Sequence, residues 1–295
     1  QAGITAHFND IDLKAFSGQF NSLIYRISKE KAFVHQVINS SRDVLAEAGQ
    51  LSLVGGKQEG IKTYIDKATQ YVGPVISQEN GDQSTRLATL LRSPLAAEEN
   101  VLDDKDYRRL RPIAEENGLQ FYSKPGQFGW DKLDQGSRFL VAHLDSFFKT
   151  RPPGNLLDLG CGYGYLALHA SRYLPNRIVA TDNNAAALLS CRFNLQHNDV
   201  ANAQVVADDC GLHLQESFDT ILCNPPFHQG FSTSGDMTDR FLEQTRRLMA
   251  RSGEALFVVN QFIPLEQRAA TRFRQVELIA KNKSFKLVRL ANPIK

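Results

Sequence analysis

Leu156-Leu157-Asp158-Leu159-Gly160-Cys161-Gly162-Tyr163-Gly164 decides how this chain folds. A short apolar run carrying one acidic residue ends in three alternate glycines, and helical spacing follows from Tyr165 to Tyr173. Glycines at a strand-to-helix turn let the backbone reverse tightly and approach a ligand with no Cβ in the way. The spacing is GxGxG with Asp158 two residues ahead, not the GxGxxG of dinucleotide-binding folds, which disfavours a nicotinamide oxidoreductase. That form suits S-adenosylmethionine, whose amino-acid tail, and not a pyrophosphate, meets the loop. Asp158, Gly160, Cys161, Gly162 and Gly164 are the cofactor-binding candidates here.

Outward from this loop the pattern is doubly wound α/β. Strands are predicted at Leu156 to Leu159, Arg177 to Thr181, Ala203 to Val206, Thr220 to Cys223, Ala255 to Val259, Gln275 to Ile279 and Ser284 to Leu290. Helices fall at Tyr165 to Tyr173, Asn184 to His197, Asp239 to Ala250 and Leu265 to Phe273. Only Ala280-Lys281-Asn282-Lys283 separates the last two strands, too short for a crossover, so they pair antiparallel.

Toward the N-terminus, Ser22 to Ile27 and Gln50 to Val54 read as strands, with helices over Lys29 to Ala48 and Glu59 to Ala68. Strand alternating with helix predicts a parallel sheet there too. The loop Gly55-Gly56-Lys57-Gln58-Glu59-Gly60 fits no phosphate-binding pattern and reads as a plain turn into a helix. Ser93 to Gly118, with Pro94, Pro112 and mixed charge, reads as the connection between domains. Beyond it, Phe121 to Gly129 is a strand entering a loop, and Gln135 to Phe148 a helix. At about 150 residues per domain, 295 residues make two domains, placed at 1–115 and 116–295.

Three further stretches carry chemistry. Asp182 ends the strand after the glycine loop, near the roughly 20-residue offset at which an acidic side chain accepts from ribose hydroxyls; alone, it could equally cap the helix after Asn183-Asn184. Asp208-Asp209, after the next strand, stands where a carboxylate can accept from an adenine amine, Asp209 being favoured, and a solvated turn is the alternative. Asn224-Pro225-Pro226-Phe227 follows the fourth strand directly. An exocyclic amine on a nucleobase is a poor nucleophile, because its lone pair is delocalised into the ring. The Asn224 side-chain oxygen and the Pro225 carbonyl can each accept one N–H, which orients the nitrogen toward a sulfonium methyl with no strong base required. Phe227 offers a face for stacking an extruded base, and His228 is a candidate general base that solvent can replace.

With 42% hydrophobic and 22% charged residues the composition is ordinary for a globular chain. Lys+Arg 34 against Asp+Glu 32 gives a net +2, which neither demands nor excludes a polyanion. Charge placement says more. Arg268, Arg272, Arg274, Lys281, Lys283, Lys286, Arg289 and Lys295 face only Glu266 and Glu277 in the last segment, and Arg108, Arg109 and Arg111 make a second candidate patch. Cys161, Cys191, Cys210 and Cys223 show no CxxC pair and no zinc spacing, so the chain is expected to bind no metal, to hold no disulfide and to work in the cytoplasm. No apolar run approaches a membrane span. The first residue is Gln, so a longer natural sequence is expected.

Together, Asp158 to Gly164 and Asn224 to Phe227 resemble class I methyltransferases acting on planar amines. More narrowly, Lys124-Pro125-Gly126-Gln127-Phe128, Leu133-Asp134-Gln135-Gly136-Ser137, Asn224 to His228 and Phe285-Lys286-Leu287 resemble the bacterial ribosomal RNA guanine-N2 methyltransferases of the RsmC and RlmG type. The match runs over about Leu119 to Leu290 and is thinner before, resting on Ser22 to Tyr25 and Gly60-Ile61-Lys62. The resemblance implies two Rossmann-like methyltransferase domains. The first would be degenerate, as the missing DxGxGxG loop before Gly118 agrees, and the second a seven-stranded catalytic sheet. It also implies S-adenosylmethionine bound by Asp158 to Gly164, Asp182 and Asn183 with Asp208 or Asp209 and Asn224. Catalysis would fall to Asn224, Pro225, Pro226 and Phe227, with Phe128, Phe227 and His228 at the substrate. The expected partner is ribosomal RNA, preferably of the small subunit, or an assembling subunit, and the expected state a monomer. Guanine-N2 methylation of large-subunit ribosomal RNA is one alternative, and adenine-N6 and glutamine-N5 methylation, whose enzymes share the Asn-Pro-Pro-aromatic motif, are the others, with a non-catalytic RNA-binding platform beyond them.

Overall fold

The computed structural model describes residues 3–13, 16, 20–82, 84–94, 98–149, 151–226 and 234–294. The chain divides into two compact units, Gln1–Arg109 and Leu110–Lys295.

In the first unit, β1 (Phe20–Arg26), α1 (Lys31–Val44) and β2 (Leu45–Gly56) make a βαβ crossover with β1 and β2 parallel. After α2 (Ile61–Tyr71), β3 (Val75–Asn80) and β4 (Thr85–Leu91) form a hairpin, and the sheet order is β1-β2-β4-β3. Leu51, Leu53, Ala88 and Leu90 on the sheet meet Val34, Ile38, Ile61, Ile65 and Ala68 on the two helices, all buried. Three expectations need correction. Leu45 to Ala48 belong to β2, not to the preceding helix; apolar periodicity could not separate them because Leu45 is buried in either setting. The second helix begins at Ile61, after Gly60 turns the chain at φ 81°. The sheet is mixed, not parallel, since β4 runs antiparallel to both β2 and β3. Edge strand β3 is exposed over most of its length, and Ser77-Gln78-Glu79-Asn80 gives no apolar signal. The loop after β2 satisfies itself: the Gly56 N–H donates to Glu59 Oε2 (2.7 Å) and the Lys57 N–H to the Ser84 carbonyl (2.8 Å).

The second unit opens with the hairpin β5 (Arg111–Glu116) and β6 (Leu119–Ser123). Asn117 and Gly118 both have positive φ, 54° and 75°, the backbone of a two-residue type I′ turn. Reading Ser93 to Gly118 as linker therefore overlooked β5; Pro112 and the charges masked it, while Asn-Gly between two short runs was the available signal. The predicted helix over Gln135 to Phe148 is two, α3 (Gln135–Val141) and α4 (Leu144–Phe148).

The remaining elements are β7 (Asn155–Leu159), α5 (Tyr165–Ser171), β8 (Arg177–Asp182), α6 (Ala185–His197), β9 (Ala203–Ala207), β10 (Phe218–Cys223), α7 (Ser234–Leu248), β11 (Met249–Asn260), α8 (Leu265–Ala269), β12 (Phe273–Lys281) and β13 (Phe285–Pro293). They build a seven-stranded sheet in the order β12-β13-β11-β10-β7-β8-β9, with the last two strands antiparallel as expected and β13 antiparallel to β11 as well. Alternate residues feed opposite cores. Leu156, Ile178, Leu222, Leu256 and Val258 pack with Leu140, Leu166, Leu188 and Leu195, while Leu157, Val179, Ile221, Phe257 and Val259 pack with Phe241, Leu242, Leu265 and Ala269. With both faces covered, the inner strands read as nearly continuous apolar runs. Successive connections leave in opposite directions at β7, since β8 lies on one side and β10 on the other. The C-terminal ends of β7 and β10 therefore border the crevice where open α/β sheets bind ligands.

The first unit repeats half of this design. β1-α1-β2-α2-β3-β4 matches β10-α7-β11-α8-β12-β13 in element order, strand order and strand direction. Both parallel pairs carry a register shift at the same place, between Phe20 and Ser22 and between Phe218 and Thr220. Among the described residues the first unit has no counterpart of β7, β8 and β9, the three strands that carry the glycine loop, Asp182 and Asp208-Asp209.

Candidate cofactor and catalytic site

The loop after β7 is tied to the end of β8, because the Gly160 and Cys161 N–H groups both donate to the Thr181 carbonyl at 2.9 Å. Gly160, Gly162 and Gly164 all take positive φ, at 80°, 52° and 86°. At Gly164 a Cβ would also lie 2.8 Å from Cys191 Sγ, so only glycine lets the first turn of α5 sit against α6. Above Gly162 a Cβ would meet nothing within 4 Å; the loop is open on that side.

Asp158 is fully buried, and its Oδ2 accepts from the Ala167 N–H (2.9 Å), binding β7 to α5. Among the described residues its Oδ1 has no partner. Burial, with Asp182 nearby, pushes this carboxyl up to about 7. Asp182 accepts from the Gly162 N–H at Oδ2 (3.0 Å) and from the Asn184 N–H at Oδ1 (2.9 Å), while burial raises its pKa. The helix cap is Asn184, whose Oδ1 accepts from the Ala187 N–H (3.1 Å), so Asp182 does not itself cap α6 but ties the glycine loop to the backbone of the capping residue.

Asp208 and Asp209 part company. Asp208 is buried and accepts from the His213 N–H (3.0 Å), which commits it to its own turn. Asp209 is exposed, paired with Arg240 and 3.4 Å from Asn183 Nδ2, so Asp209 and Asn183 stand together beyond β8 and β9. On the other side of the loop, Asn184 Nδ2 donates to the Gly126 carbonyl (2.8 Å), and buried Gln127 Nε2 donates to Ser190 Oγ (2.7 Å). These anchors present Phe128, 62% exposed, at the surface.

Asn224 extends from β10 and is half-buried. Its amide Nδ2 donates to Asp134 Oδ2 (2.6 Å) and to Ser137 Oγ (2.9 Å). Both amide hydrogens are thus spent, and Oδ1 receives no donor among the described residues. Asp134 is itself fixed, because the same Oδ2 accepts from the Ser137 N–H (2.7 Å) as the N-cap of α3. A Cβ on the intervening Gly136 would lie 3.1 Å from Asp134 Oδ2 and 3.3 Å from Asn224 Nδ2, so glycine keeps the two side chains in contact. Pro225 is buried and Pro226 exposed. Phe227 and His228 lie outside the described residues. In sequence, Asp134 to Ser137 stand out only through the family resemblance; an Asp three residues before a Ser at a helix start is the local signal for a cap, and nothing in the chain order points to Asn224.

Cys161 and Cys191 are buried against each other, and that contact with burial raises the Cys161 thiol well above its usual range; Cys223 is raised by burial. None is poised as a nucleophile. Among the described residues no group of His, Cys, Asp and Glu could hold a metal, and no helix is long and apolar enough to cross a membrane. The basic C-terminal segment is largely spoken for. Arg268 and Arg272 pair with Asp239, Lys286 with Glu266, and Arg289 with Glu254 and Glu277, leaving Arg274, Lys281 and Lys283 without an ion pair among the described residues.

Comparison with known proteins places these features. The chain is 29% identical over 271 residues to the ribosomal RNA small subunit methyltransferase C of Shewanella loihica, covering 91% of this chain and 76% of that protein. It is 28% identical over 282 residues to the Haemophilus influenzae protein of the same name, covering 94% and 81%. Among solved structures, the T. thermophilus 16S rRNA N2 G1207 methyltransferase (RsmC), in complex with AdoMet and guanosine, superposes with a TM-score of 0.81 at 23% identity over 94% of this chain and 74% of that one, which establishes the two-domain fold. The family model of the methyltransferase small domain matches residues 118–289, running from β6 through the glycine loop and Asn224 into β13, and the chain belongs to that family.

Proposed function

We propose that this protein transfers a methyl group from S-adenosylmethionine to the exocyclic N2 of a guanine in small-subunit ribosomal RNA. The observation that carries the reading is the Asn224 amide, whose two hydrogens are held by Asp134 and Ser137 so that Oδ1 is the group left to receive a donor. The named relatives act on small-subunit ribosomal RNA, which supports that substrate over DNA or a release factor.

The residues around the glycine loop fit the cofactor. Open space above Gly162, the buried unpartnered Asp158 Oδ1 and the Asp182 carboxylate at the loop edge form a cradle that a side chain would fill. Asp158 and the glycines would face the amino-acid end, Asp182 would accept from the ribose hydroxyls, and Asn183 with Asp209 would border the adenine. When bound, S-adenosylmethionine supplies an electrophilic methyl on a sulfonium. This chain's own part is orientation. Asn224 Oδ1 and the Pro225 carbonyl each accept one hydrogen of the guanine amine, turning its lone pair out of the ring plane. Holding the reacting nitrogen in one attitude can supply several kcal/mol of a barrier. The departing proton needs no dedicated base, because the amine becomes acidic as its new bond forms. Phe128 and Phe227 would flank the site. On this reading the protein acts as a single chain in the cytoplasm, where ribosomal subunits are assembled.

The test is incubation with radiolabelled S-adenosylmethionine and separate pools of ribosomal RNA, DNA and release factor. Label in small-subunit RNA, recovered as N2-methylguanosine on nucleoside digestion, is the expected result. Label only in DNA or release factor would replace the reading with its adenine-N6 or glutamine-N5 alternative.

A further inference from the structure

The C-terminal ends of β10 and β11 and the start of β13 meet at one edge of the sheet. Cys223 is in register with Phe257, which sets Asn224 beside Val258, and Asn260 is in register with Phe285. Phe285 reaches the catalytic side, since its Cε1 would be 3.2 Å from a Cβ on Gly136, the residue between Asp134 and Asn224. Two turns rise from this edge. In the first, after β11, Phe262 is 70% exposed and makes no ring contact among the described residues. Its flanks are nevertheless pinned: the Gln261 N–H donates to the Ser284 carbonyl (3.0 Å), the Ile263 N–H to the Asn260 carbonyl (3.0 Å), and Ile263 is buried. The second turn joins β12 to β13. Asn282 Oδ1 accepts from the Ser284 and Phe285 N–H groups (2.9 and 2.8 Å), and Lys281 and Lys283 flank it, both exposed and without an ion pair among the described residues.

This contrasts with most of the basic segment, where Arg268, Arg272, Lys286 and Arg289 are each neutralised by a carboxylate and Arg274 alone shares the lysines' lack of an ion pair among the described residues. A large aromatic held exposed on an anchored turn, beside two uncommitted ammonium groups, suits a ligand that brings both a flat face and negative charge. Single-stranded RNA brings both. At most about 13 Å of strand separates Val258 from Phe262, the span of a few bases at roughly 3.4 Å each.

We propose that Phe262, Lys281 and Lys283 dock the single-stranded RNA next to the target guanine, Phe262 stacking on a flanking base and the two lysines contacting phosphates. The inference rests on the RNA reading above and extends it to residues outside the cofactor and catalytic loops.

Fluorescence anisotropy with a labelled single-stranded RNA oligonucleotide tests it on the full chain. Phe262→Ala should weaken binding about 5- to 150-fold, the range for loss of one stacked base, and Phe262→Tyr should restore it. Lys281→Ala with Lys283→Ala should lower the salt dependence, reducing the slope of log K against log salt by about 1.4 for two lost single-strand phosphate contacts. All three variants should keep wild-type affinity for S-adenosylmethionine, and for RNA methylation the KM should rise with kcat retained in Phe262→Ala and in the double-lysine variant but stay near wild type in Phe262→Tyr. Wild-type affinity and salt slope in both the Phe262→Ala and the double-lysine variants would overturn the proposal, as would failure of the wild-type protein to bind the oligonucleotide. Failure of the functional reading looks different: methyl transfer to ribosomal RNA would be absent in the wild-type protein, whatever the anisotropy reads.

Discussion

Asp134 is the residue on which the attitude of Asn224 depends most. Its Oδ2 accepts from Asn224 Nδ2 at 2.6 Å and from the Ser137 N–H at 2.7 Å, so one carboxylate oxygen caps α3 and fixes the Asn224 amide. Removing it with Asp134→Ala has two separable costs. Loss of the cap should lower stability by about 0.5–2 kcal/mol. Loss of a hydrogen bond to a charged acceptor, about 1.5–3 kcal/mol, frees the amide to turn its NH2 toward the substrate amine, where it repels a donor instead of accepting from it. If the enzyme uses that attitude in the transition state, kcat and kcat/KM should fall together by about 10- to 150-fold. Asp134→Ser separates the effects, because serine caps a helix well but is too short to hold Asn224 as the carboxylate does. It should recover only the cap's share of the stability, melting a few degrees above Asp134→Ala, yet transfer methyl groups nearly as slowly. Single-turnover transfer to small-subunit RNA, thermal melts and S-adenosylmethionine calorimetry on both variants make the measurement. Cofactor affinity should hold in each. Wild-type turnover in Asp134→Ala, or full recovery of rate in Asp134→Ser, would refute the positioning role and leave Asp134 as a helix cap alone.

Three other outcomes are expected. Asp182→Ala, which removes the acceptor at the edge of the glycine loop, should weaken S-adenosylmethionine about 10- to 150-fold by calorimetry, and unchanged affinity would remove Asp182 from the ribose role. Asp158 has its carboxyl raised to about 7 by burial, so the folded state binds its proton more tightly than the unfolded chain; its contribution to stability is full below about 4 and lost as pH rises through about 7. Asp158→Asn, which still accepts from Ala167, should therefore raise the melting temperature more at pH 8 than at pH 5, and parallel melting curves for the two proteins across that range would contradict the assignment. Gly164→Ala places a methyl 2.8 Å from Cys191 Sγ at φ 86°, whereas Gly162→Ala at φ 52° meets open space; the first should cost clearly more than the roughly 1–2 kcal/mol of left-handed strain that both carry, and equal melts would argue against the packing reason.

What could be read from the chain order divides along physical lines. The second sheet was legible because its strands are covered on both faces: Leu156-Leu157 and Ala255 to Val259 are apolar without interruption, and each ends in a residue with a reason to be there. Glycine spacing and Asn-Pro-Pro are local features, so the tight turn after β7 and the exit of the chain from β10 at Asn224 are legible too. The hydrogen bonds that orient Asn224 were not, since Asp134 and Ser137 lie far from it in the chain and meet it only once α3 is capped beside β10. Charge counting misled in the last segment for the same reason. Arg268 and Arg272 look unopposed in sequence, yet Asp239 on α7 reaches both.

The first unit shows where pattern reading fails and what topology restores. Its exposed edge strand β3 is polar from Ser77 to Asn80, so only β4, with Leu87, Ala88, Leu90 and Leu91, carries an apolar trace of the hairpin, and without a recognised hairpin β1-α1-β2-α2 looks like the start of a parallel sheet. With the hairpin in place the unit is the β10-to-β13 half of the catalytic sheet. The matching register shifts align Tyr25 with Cys223, which puts Arg26 where the second unit has Asn224. Arg26 cannot serve an amine there, because a guanidinium only donates, and it is already paired with Glu59 at 2.8 Å. Among the described residues the first unit therefore lacks both features on which the proposed reaction rests, the strands that would cradle the cofactor and the acceptor that would orient the amine. Restoring an asparagine at position 26 alone would supply only the second of them.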